Sequence, residues 1–109
     1  MTKKIRHSPV VSRGLRTSSQ NLQAWRKLRG LTQAQLAERA GISRDTVIRL
    51  EGGDGSVSFE NVLSVIRALG VLDGVLASLD PFETDLGRAR SEERLPLRVR
   101  PRDLTQGDG

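Results

Sequence analysis

Two arginines and an aspartate mark the stretch "SRDTVIRLEGG", residues 43–53, at Arg44, Asp45 and Arg49. On a helix of about 3.6 residues per turn with Val47 and Leu50 turned inward, Arg44, Asp45, Ile48 and Arg49 occupy the outward half. An arginine can donate two hydrogen bonds to guanine O6 and N7, worth about 1–3 kcal/mol of discrimination against the wrong base. Arg44 is the best-placed residue for that readout. Arg49, one turn further on, can read a base or hold a phosphate. Asp45 has three possible roles: to accept from cytosine N4, to favour the positive end of the helix dipole, or to orient Arg49 at i+4. Ser43 and Thr46 carry hydroxyls that can cap the helix or touch a phosphate.

Bond-making chemistry has little material to work with. The one histidine, His7, lies among basic and polar residues near the start, and there is no cysteine. No Ser/His/Asp set, paired carboxylates or metal-ligand spacing is apparent, so the sequence reads as a non-enzyme without metal or cofactor. The glycine-rich "GGDG" at 52–55 follows no strand and precedes no Lys-Ser/Thr, which makes it a loop and not a phosphate cradle.

A rigid support must hold those outward residues. "LTQAQLAERAGISRDTVIRLEGG", from Leu31 to Gly53, predicts a helix after Thr32 as N-cap that ends at Ala40, and a second after Ser43 as N-cap that ends near Glu51. Leu36, Ala37 and Ala40 form the inner face of the first, and Ile42 plugs the corner. Gly41 sits where the chain must take a positive φ to turn. Two short helices joined so tightly cross at about 90–120°. The first then lies against a phosphate backbone and the second enters a major groove.

The rest of the chain divides by composition. Of the 109 residues only 36% are apolar and three are aromatic, enough for one moderate core. Residues 1–16 carry Lys3, Lys4, Arg6, Arg13 and Arg16 and no acid, which is the whole net charge of +5. Residues 26–49 carry +4, and residues 50–80 carry −4. A basic half with a basic tail suits a polyanion. Residues 1–18 read as a disordered basic arm, 19–80 as an all-α DNA-binding domain, and 81–109 as a tail. Five helices are expected. The first spans about Ser19 to Arg29, with Trp25 in the core by default. The fourth, capped by Ser58, has Phe59, Val62, Leu63, Ile66 and Leu69 on its buried stripe. The fifth spans Leu72 to Leu79. No apolar run is long enough for a membrane span or a signal peptide, so a cytoplasmic protein is expected.

"RGLTQAQLAERAGIS" followed by "VIRLEGG" resembles the Cro/repressor-type (xenobiotic-response-element) helix-turn-helix family over about residues 20–72, with Gln33, Leu36, Ala37, Gly41, Ile42, Val47, Leu50 and Glu51 matching together. The resemblance implies that Gln33 and nearby backbone N–H groups hold a phosphate. It also implies that Arg26 in the first helix pairs structurally with Glu51.

"FENVLSVIRALGVLDGVLASLDPF" and the later "LPLRVRPR" are similar to HipB-like antitoxins, which implies a HipA-type kinase toxin as partner. In "LPLRVR", residues 95–100, Leu95, Leu97 and Val99 alternate with polar or proline positions. That predicts either a short strand pairing with its copy in a dimer or an unstructured basic tail. Leu72, Val75, Leu76 and Leu79 exceed what one small core absorbs and point to a homodimer. The combined expectation is a repressor on a palindromic double-stranded DNA operator, autorepressing as the antitoxin of such a pair. The alternatives are a stand-alone regulator and a protein-interaction module.

Overall fold

The computed structural model describes residues 6–94, except the side chain of Glu92, and every element among them is helical. The order is α1 (Pro9–Leu28), α2 (Gln33–Ala40), α3 (Arg44–Glu51), α4 (Phe59–Ala68), α5 (Leu72–Leu79), a 3₁₀ turn (Pro81–Glu83) and α6 (Asp85–Arg94). The described residues fall into two compact units that divide between Leu72 and Asp73.

The first unit corrects one expectation. Residues 9–18, read from sequence as disordered arm, continue α1 for more than two turns. The cause is local. Ser8 Oγ accepts a hydrogen bond from Val11 N at 3.2 Å, and Pro9 occupies the first helical turn, where a missing N–H costs nothing. Leu15, Ser19, Leu22 and Arg26 then share one face by their spacing. Leu15 lies over the loop after α3, where a Cβ on Gly55 would come within 3.1 Å of its Cδ2. Ser19, Leu22 and Arg26 are buried.

Capping sets the next three helices as the residue types dictate. Thr32 and Gln35 form a reciprocal capping box at the start of α2, with Gln35 N to Thr32 Oγ1 at 3.0 Å and Thr32 N to Gln35 Oε1 at 2.9 Å. Ser43 and Ser58 each accept from the backbone three residues on. Gly41, with φ +73°, ends α2 in the left-handed region, and Ile42 N bonds back to Ala37 O at 3.0 Å. The core is Leu22, Leu31, Leu36, Ala37, Ala40, Val47, Leu50, Val65, Ile66 and Leu69. Within it α2 packs on both α3 and α4, and α1 packs on α3.

Two side chains depart from the expected core. Phe59, at the first position of α4, is 68% exposed, and Val65 joins the expected Ile66 as a buried residue of that helix. Trp25 is 39% exposed, with the Arg29 guanidinium 5.5 Å from its ring centroid. The indole serves as a platform for a cation and not as core filling.

The second unit holds a helix that was expected as tail. Asp80 caps the 3₁₀ turn, accepting from Phe82 N at 2.9 Å, and Thr84 Oγ1 accepts from Gly87 N at 2.9 Å to open α6. A Cβ on Gly87 would collide with the Pro81 carbonyl, so only glycine lets α6 fold back onto the turn. Arg88 closes the unit with bonds to Phe82 O and Asp85 Oδ1, both at 2.7 Å. The helix count is therefore six and not five among the described residues. The strand expected at 95–100 lies outside them.

Candidate nucleic-acid interface

The two-helix corner is held from beneath by a polar cluster. Arg26 of α1 meets Glu51 at the end of α3, with Nε to Oε2 at 2.7 Å and Nη2 to Oε1 at 3.1 Å. Arg26 Nη1 also donates to Leu31 O at 2.8 Å, and Gln33 Nε2 donates to Glu51 Oε1 at 3.1 Å. One buried carboxylate thus ties together α1, α2 and α3. Each charge has a partner, and that is the condition for burying either. Gln33 keeps a second amide N–H, since a primary amide carries two.

Above this cluster, α3 presents its outward half. Val47 and Leu50 are sealed in the core, while Arg44, Asp45 and Ile48 are exposed. Ser43 caps the helix through Thr46 N at 3.1 Å and shares a 2.8 Å hydroxyl contact with Thr46 Oγ1, so both hydroxyls are engaged locally. An open concavity of about 520 Å³ lies at the start of α2, lined by Arg26, Thr32, Gln33, Ala34 and Arg44. The first N–H groups of α2 and the Arg44 side chain thus border one hollow. That arrangement favours an anion by both dipole and charge.

Arg49 stands differently from Arg44. Its Nε donates to Asp54 Oδ2 at 2.9 Å, and its Nη2 donates to Ser56 Oγ at 2.9 Å. Asp54 in turn accepts from Ser56 N at 2.8 Å and from Ser56 Oγ at 2.6 Å, both at Oδ1. The Ser56 hydroxyl, then the Ser56 N–H, then Arg49 hold the Asp54 carboxyl well below the usual carboxylate range. Asp45 does not orient Arg49, because Asp54 fills that role from the loop. Neither Asp54, inside the "GGDG" expected as a loop, nor Ser56 just after it stands out as a site residue in the sequence. The usable signal was an Asp followed two residues later by Ser, which favours a side-chain-to-backbone turn.

Among the described residues no cluster of three potential metal ligands occurs, and no helix is long and apolar enough to cross a membrane. Two short helices joined through a left-handed glycine, the second displayed outward, define a helix-turn-helix.

Comparison with known proteins gives the same class. Residues 22–73 match the helix-turn-helix family. A 45-residue segment is 51% identical to an uncharacterized HTH-type transcriptional regulator of Methanothermobacter thermautotrophicus. That segment is 41% of this chain and 65% of the relative, just under two thirds of the relative's length. No solved structure matches.

Proposed function

We propose that the chain is a sequence-specific DNA-binding transcriptional regulator that represses from a palindromic operator as a homodimer. One observation carries the reading. Arg44, at the first position of a helix whose Val47 and Leu50 are locked in the core, stands exposed beside the hollow at the start of α2. In this reading Gln33 and the α2 N–H groups hold a phosphate, and Arg44 reads a base with Asp45 and Arg49 flanking it. Ser43, while capping the helix, and Thr46 beside it face the phosphates. The regulator named among the relatives supports the reading by similarity over 45 residues.

The test is direct. Full-length protein is used to select sequences from random duplex DNA, and the selected site is then varied one base pair at a time. Arg44→Ala should relax preference at one base pair, and Gln33→Ala should weaken binding to every variant alike. Equal losses across all variants for Arg44→Ala would remove it from base readout. Failure of the wild type to enrich any sequence would end the proposal.

The finer reading is an antitoxin that docks a HipA-type kinase toxin through its C-terminal unit and represses its own operon. What supports it is surplus apolar surface: α5 has no buried residue, and Leu79 and Leu86 are 68% and 64% exposed. Co-expression with the product of the neighbouring gene tests it. Co-purification and growth rescue that are lost on truncation after Asp80 support the antitoxin. Their absence with the full-length chain leaves a stand-alone regulator. A pure protein-interaction module would bind a partner and no DNA.

A further inference from the structure

Arg49 and the loop behind it form a device that the helix-turn-helix alone does not require. At the end of α3, Asp54 N bonds to Arg49 O at 3.0 Å and Gly53 N bonds to Leu50 O at 3.1 Å, with Gly53 at φ +88°. This paired pattern is a Schellman closure, and it fixes the backbone of Asp54 against the helix that carries Arg49. The side chains then close a second ring. Ser56 Oγ gives its proton to Asp54 Oδ1 at 2.6 Å, so its lone pair is what accepts from Arg49 Nη2. Every hydrogen bond in the ring has one possible direction.

The ring uses a particular edge of the guanidinium. Five N–H groups are available on arginine, and Asp54 and Ser56 take Nε–H and one Nη2–H. The end-on pair, from Nη1 and Nη2, takes no part in the ring. Two parallel donors of that kind match guanine O6 and N7. The ring restricts the rotamers of a side chain that is otherwise 41% exposed, and such pre-organisation raises selectivity for the one base that fits. The Asp54 charge also offsets the arginine's own, so the side chain is a weaker point attractor for phosphates in general. Behind the loop, Leu15 of α1 lies over Gly55 and supports it.

We propose that Asp54 and Ser56 are positioning residues for Arg49, so that a loop touching no base fixes which base pair Arg49 selects. The proposal rests on the DNA-binding reading above.

The test uses the full chain as wild type, Arg49→Ala, Asp54→Ala, Ser56→Ala and the double variant Arg49→Ala with Asp54→Ala. Sites are selected from random duplex DNA with the wild type, and each protein is titrated against every single base-pair variant. Arg49→Ala identifies the base pair it reads. Asp54→Ala and Ser56→Ala should lose preference at that same pair, from about tenfold or more to under about threefold. Preferences elsewhere should stay unchanged, and the double variant should lose no more than Arg49→Ala alone. Asp54→Ala should also bind random DNA more tightly with a steeper salt dependence, which a merely structural defect would not produce. Uniform weakening at all base pairs, or a wild-type profile in both loop variants, overturns the proposal. Ser56→Ala decides the matter if Asp54→Ala does not fold. A wild type that selects no sequence defeats the DNA-binding reading itself, and is thereby told apart from failure of the loop alone.

Discussion

Arg26 and Glu51 meet through two hydrogen bonds, with their side chains only 10% and 4% exposed, and they join the first helix to the end of the third. The pair lies beneath the two-helix corner, and Arg26 also lines the hollow at the start of α2. Its consequence is mechanical: the end of α3 is fixed to the first helix by a largely buried contact.

That contact should be measurable as stability. Glu51→Ala leaves Arg26 buried without its carboxylate and deprives Gln33 of an acceptor. Chemical denaturation should show a loss of about 3–5 kcal/mol. A loss below about 1 kcal/mol would mean the pair is solvated enough to be dispensable.

The basic residues of the long first helix give a second expectation. Arg13 and Arg16 lie in its first three turns and are exposed. If they touch phosphates, replacing both with alanine should flatten the slope of log K against log salt by about 0.9 for each lost contact. Alanine preserves the helix, so an unchanged slope would show that this end of the protein lies away from the DNA.

Acid should act on the loop in a definite direction. The Asp54 carboxyl lies below its ordinary range when folded, held there by Ser56 and Arg49, against about 3.9 in an unfolded chain. A depressed folded value gives stability that is present above the unfolded pKa and is lost as pH falls through the folded one. The stability difference between wild type and Asp54→Ala should therefore be constant from neutral pH down to about pH 5 and narrow below about 4. A difference that narrows between pH 7 and 6 would assign the effect to another group.

Self-association gives a fourth. Leu76 is 48% exposed on a helix that buries nothing. In a homodimer built on that face, Leu76→Asp should sediment as a monomer. The wild type should protect two half-sites about 34–36 Å apart on the DNA. A Leu76→Asp protein that remains dimeric would place the interface elsewhere.

The parts of this fold readable from sequence were those fixed by local chemistry. Thr32, Ser43 and Ser58 start helices because their hydroxyls satisfy backbone N–H groups, and Gly41 turns the chain because a positive φ favours it. Composition misled at the start. The basic and polar residues before Ser19 suggested disorder, although "SP" at 8–9 carried both an N-cap and an N1 proline. The sixth helix, "DLGRARSEER", has no apolar stripe, so no periodicity marked it. At the site, the outward set Arg44, Asp45 and Ile48 followed from helix geometry alone. Arg49's partners did not, because Asp54 and Ser56 reach it only once the Schellman closure has folded the loop back.

α2 and α3 have eight residues each, about 12 Å of helix, well short of the length at which a helix survives alone in water. They persist because α2 also rests on α4, whose Val65 and Ile66, with Leu69 just beyond, complete the core. During synthesis the recognition residues would emerge first and stay unstructured until Leu69 had followed them. A truncated product ending earlier would contain every exposed side chain of α3 and yet have no body on which to display them. The order of the chain thus delays the helix-turn-helix until the body that supports it is complete.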